Sequence, residues 1–131
     1  MSGNQRGVSL SAFFAVVVLA LLLVAGLVVD GGAQAVAARR AELVASAAAR
    51  AGADATAASR LAGEAPDVTA AVVAARAVLA ASEDVTGEVE VAGGRIRVTT
   101  SAGADTVLLS LIGIGRLDAH GSAEAELVSN R

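Results

Sequence analysis

Hydrophobic and polar positions change their pattern several times along this chain, and each pattern predicts an element. The first is the longest. From Gly7 to Val29 the chain reads GVSLSAFFAVVVLALLLVAGLVV, 23 residues without a charge, bounded by Arg6 and Asp30. At 1.5 Å rise per residue this makes a helix of ~35 Å, enough to cross a hydrocarbon core of ~30 Å. Val8, Phe13, Phe14, Leu22 and Val29 are among the side chains that would anchor it in lipid. A cleavable signal has an apolar core of roughly 7–15 residues and a small-x-small cleavage site. The run is longer than that, so an uncleaved anchor is expected, with Ala33 and Ala35 as an alternative A-x-A site. Arg6 and the terminal amine lie on one side, Arg39 and Arg40 on the other. The positive-inside rule therefore leaves orientation open.

Ala33 to Ala62 holds no Pro and a single Gly, Gly52, and is dominated by Ala, the best helix former. The expectation is one long helix continuing out of the membrane, with Gly31-Gly32 as the place for a bend. Arg50 and Asp54 stand at i, i+4 and support it. A heptad stripe runs through Ala37, Ala41, Val44, Ala48, Ala51, Ala55, Ala58 and Ala62. Two readings stay open: a seam on which another helix packs, or a solvated Ala-rich stalk.

Gly63-Glu64-Ala65-Pro66 breaks the helix. Asp67 then caps a new one, roughly Val68 to Ala81, with Val68, Ala71, Val72, Ala75, Val78 and Leu79 at helical spacing. Glu88–Ala92 and Arg95–Thr99 flank Gly93-Gly94, a two-residue hairpin turn. That register pairs Val91 with Ile96 and Val89 with Val98 on one face, and Glu90 with Arg97 on the other. Thr106 to Ile114 is short, apolar and uncharged, and reads as a helix turn or a buried strand. Within it, Leu108 to Ile112 is either core against the sheet or an exposed patch that docks a partner. From Leu117 to Val128 apolar and polar residues alternate, as in a half-buried strand.

These elements predict an α+β protein: an N-terminal transmembrane helix running into a long Ala-rich helix, then a small α-β-β-α-β domain with a three-stranded antiparallel sheet. The expected segments are a tail at 1–7, a transmembrane helix at 8–29, a stalk at 30–65 and a domain at 66–131.

Composition narrows the function. Net charge is −3, with 13 acidic and 10 basic residues, and every basic side chain is Arg. Without a basic face, and with Phe13 and Phe14 as the sole aromatics, nucleic acid is not an expected partner. The absence of Cys excludes disulfides and thiol chemistry. His120 is the single histidine and falls on the polar side of its strand with Glu124 and Glu126, an outcome of alternation. Gly93-Gly94 has neither the Lys nor the following helix of a phosphate loop. No catalytic constellation, metal site, cofactor site or small-molecule substrate is therefore predicted.

Arg6-Gly7-Val8-Ser9, the apolar run with Phe13-Phe14, and the exit Ala25-Gly26-Leu27-Val28-Val29-Asp30-Gly31-Gly32 together resemble the N-terminal segment of the TadE/TadG-like family of Flp (tight-adherence) pilus assembly proteins. Arg6, Gly7, Gly26, Leu27, Val29, Asp30 and Gly31 carry the resemblance, which covers roughly residues 6 to 40. The run Val107 to Ile114 is similar to short actinobacterial members. The resemblance implies a single-pass membrane protein with a cytoplasmic N-terminus and an extracytoplasmic domain. It also implies pilin-like or assembly work among other pilus or secretion subunits. Processed pilin-like members are cut after the glycine and carry Glu five residues later. Here that position is Ala12, which points to a permanent anchor rather than a filament core.

Overall fold

The computed structural model describes residues 4–127, with side chains from Gly7 onward. Residues 1–3, the Arg6 side chain and the expected strand end at Val128 lie outside the described residues.

One helix, α1, runs from Asn4 to Ala55 over 52 residues. It passes through Gly31 and Gly32 uninterrupted, because two glycines cost only about 1 kcal/mol each against a helix held at both flanks. It stops earlier than the Ala-rich run does. Thr56 is buried, and its hydroxyl donates back to the Ala53 carbonyl at 2.8 Å. A separate short helix, α2, covers Ala57–Leu61. Gly63, at φ 70°, ends it where the break was expected. Helix α3, Val68–Ala80, starts at Asp67, whose side chain accepts the Ala70 N–H at 3.0 Å.

Three antiparallel strands follow: β1 Val85–Ala92, β2 Arg95–Asp105 and β3 Arg116–Glu126, in the order β1-β2-β3. The hairpin register is the expected one, with Val91 opposite Ile96, Val89 opposite Val98 and Glu90 opposite Arg97. The Arg97 guanidinium turns to the other neighbour, however, and engages Glu124 of β3. Between β2 and β3 lies a 3-10 turn, Leu109–Ile112, closed by Gly113 at φ 91°.

The sheet has one covered face. The second half of α1 lies over β2 and β3, with α3 beside it over β1. Ala45, Ala48, Ala49, Ala71, Ala75, Leu79, Ile96, Val98 and Leu127 form one core; Ala37, Ala41, Val85, Ala102, Ala104 and Ala119 form a second. With so few large side chains, the layers close by bringing backbones together. A Cβ on Gly121 would run into the α1 backbone at Ala41 and Glu42, and one on Gly52 would meet Ile96 and Ala71. The buried Thr100 hydroxyl donates to the Ala41 carbonyl at 2.7 Å, tying β2 to α1.

This corrects the stalk. Residues 33–55 supply the central helix of the domain, so no boundary at 65/66 separates a stalk from it. The helix partner of this stretch is α3 of the same chain. The heptad seam holds at Ala37, Ala41 and Ala48, is half-buried at Val44 and Ala51, and ends with Ala55, Ala58 and Ala62 exposed. A straight helix on a sheet keeps a period near 3.6, so a 3.5 stripe drifts off the contact after a few turns.

Candidate functional site

Asp30 is the first charged residue after the apolar run, yet it is only 1% exposed. Its carboxylate receives three backbone N–H groups from the loop between β2 and β3. Val107 donates to Oδ1 at 2.7 Å, and Leu108 and Leu109 donate to Oδ2 at 3.1 and 2.8 Å. Two of these, from the cap residue Leu108 and from Leu109, are N–H groups that the start of the 3-10 turn leaves without partners; Val107 stands one residue before the cap. The Val107 and Leu109 N–H groups hold the Asp30 carboxyl below its ordinary value; burial pushes the other way and does not prevail.

One turn earlier, Gly26 completes the contact. The side chain of Leu108 occupies the space where a Cβ on Gly26 would stand. Gly26 and Asp30 are spaced i, i+4 and so share one face of α1, with Leu108 seated on one and its N–H bound by the other. The loop is also closed on itself. Thr106 N–H donates to the Gly115 carbonyl at 3.1 Å, and Ile114 N–H to the Leu109 carbonyl at 3.0 Å.

Of the residues carrying the sequence resemblance, the structure brings these two together on the loop. Leu27 and Val29 face outward at 64% and 55% exposure, and Gly31 and Gly32 meet nothing. Arg6 and Gly7 lie at the far end of α1. The anchor residues Val8, Phe13, Phe14 and Leu22 are 59–71% exposed, so the apolar run is not a core helix of this chain but a candidate membrane span. Sequence reading missed the role of Asp30, which it treated as the edge of the span. The available signal was a lone acid following a glycine by four residues, and a second uncharged apolar run near residue 110.

The Leu108–Ile112 segment was open between core and exposed patch. Leu108 and Leu109 are half-buried, while Leu111 and Ile112 are 80% and 73% exposed. The core alternative is therefore set aside: the sheet's covered face is already filled by α1 and α3.

Elsewhere some of the charged groups pair on the surface. An open cleft of about 460 Å³ beside α1 holds Arg40 and Asp84, 3.2 Å apart, and Arg116 and Asp105, 3.7 Å apart. On the outer sheet face Arg95 engages Glu126 at 3.3 Å, and His120 stands exposed opposite Ser101. Among the described residues no three His, Cys, Asp or Glu side chains gather as a metal site.

The architecture is thus that of one long helix whose first half is bare and apolar and whose second half is the core of a small α+β domain. No protein-family model, curated protein or solved structure matches the chain.

Proposed function

We propose that the chain is a single-pass, membrane-anchored, non-enzymatic component of a Tad (Flp-type) pilus or a related secretion apparatus, with its N-terminus cytoplasmic and its domain extracytoplasmic. The observation that carries this reading is the bond between Asp30 and the loop at 107–109. It joins span and domain without a hinge, so depth and orientation in the bilayer are passed directly to the domain. Fixing a surface at a set height above a membrane is what an assembly component must do.

The same bond argues against removal of the run as a signal. Cleavage after Ala35 would take away Asp30 and Gly26, strand three loop N–H groups and cut α1 just ahead of its buried Ala37. The resemblance supports the pilus assignment, and Gly26 and Asp30, two of the residues that carry it, have a structural task here.

Site-specific photo-crosslinking from the exposed positions Leu43 and Val73 in cells tests the assignment. Adducts with a major pilin or a pilus platform protein are expected. A protein that sits in the membrane yet gives adducts with none of them would overturn the pilus role and leave an envelope structural protein.

A further inference from the structure

We infer that the loop between β2 and β3 is a second membrane contact, seated in the lipid interface on the domain side of the bilayer. The inference rests on the anchor reading above. Leu108 packs against Gly26, which lies inside the uncharged run. Gly26 is four residues before Asp30, hence ~6 Å deeper along the helix axis. A loop held at that level cannot stand clear of the lipid that covers the span, and interfacial segments bury to ~5–10 Å.

Its surface fits that place. Val107, Leu111 and Ile112 are 68–80% exposed, and nothing between Asp105 and Arg116 is charged. Its backbone fits as well. Entry into an apolar medium is costly for unpaired N–H groups, and Asp30 accepts three of them while the loop's own carbonyls accept those of Leu111, Gly113 and Ile114. An apolar tip with most of its N–H groups already paired suits the lipid interface better than bulk water. The domain then meets the bilayer at two points, α1 and this loop, which sets its tilt against the membrane plane.

The chain has no Cys, so one introduced thiol reports one position. Single variants Leu111→Cys, Ile112→Cys, Leu22→Cys and Ser122→Cys, in the full chain, are labelled with a nitroxide. They are reconstituted in phosphatidylcholine/phosphatidylglycerol vesicles, and collisions with oxygen and a water-soluble nickel chelate are compared. Labels at Leu111 and Ile112 are expected to meet the chelate several-fold less than Ser122 and oxygen several-fold more, at a depth between Ser122 and Leu22. If Leu22 is deep while Leu111 and Ile112 match Ser122, the loop is in water; the inference falls and the anchor stands. If Leu22 itself meets the chelate freely, anchor and inference fail together. Shielding of Leu111 from both agents, with broadening between labels, would place a second copy of the chain there and overturn the lipid contact.

Discussion

The Asp30 carboxylate accepts the backbone N–H of Leu109 at 2.8 Å across 79 positions of sequence. That bond makes the end of the apolar run and the β2–β3 loop a single unit, and the first prediction concerns its removal. Asp30→Ala should leave the Val107, Leu108 and Leu109 amides without acceptors and raise their hydrogen-exchange rates by at least about tenfold. Asp30→Asn, which keeps one carbonyl, should raise them less. Amides in the middle of β2 should change little in either variant.

The pH dependence follows from the direction of the Asp30 shift. Its carboxyl is held below the ordinary value in the folded chain, so the folded state favours the ionised form. The stabilisation is complete above the unfolded carboxyl value of about 4 and is lost as pH falls through the lower folded value. Melting temperatures of wild type and Asp30→Asn should therefore differ by a constant amount from pH 5 to 7. They should converge only in acid well below pH 4. Convergence between pH 5 and 7 would contradict the sign.

Gly26 and Leu108 should couple. Gly26→Ala forces a methyl into the place held by the Leu108 side chain and should loosen the loop. The double variant Gly26→Ala with Leu108→Ala restores the space. A double-mutant cycle on loop amide exchange should give a coupling of about 1 kcal/mol or more.

Glycines elsewhere should split by position. Gly121→Ala meets α1 backbone, which cannot step aside, and should cost about 2–3 kcal/mol in chemical unfolding. Gly31→Ala and Gly32→Ala meet nothing in a continuous helix and should each stabilise by roughly 0.5–1 kcal/mol.

Much of this architecture is written locally. The hairpin is legible because its apolar pairs, Val91 with Ile96 and Val89 with Val98, and its charged positions agree on one register. Asp67 and the apolar spacing behind it mark α3, and alternation marks β3. The Ala-rich half of α1 is not legible in this way. An Ala gives the same signal buried or exposed, so sequence does not choose a face. A heptad frame finds Ala37, Ala41 and Ala48 but passes over Ala45 and Ala49, which are equally buried. The site was harder still. Asp30 and Val107 are 77 positions apart, and no periodicity links them. A nine-residue apolar run between two strands reads alike whether it fills a core or stands exposed.

The account depends first on the apolar run being a membrane anchor that stays attached to the domain it is bonded to. Intact-mass measurement of the protein recovered from alkali-washed membranes tests this most directly. The expected species keeps the run from Gly7 to Val29 and Asp30 after it, together with the residues before Gly7, since Ala12 stands where a processed pilin has Glu. A soluble species beginning after Ala35, free of the membrane and lacking Asp30, would contradict it.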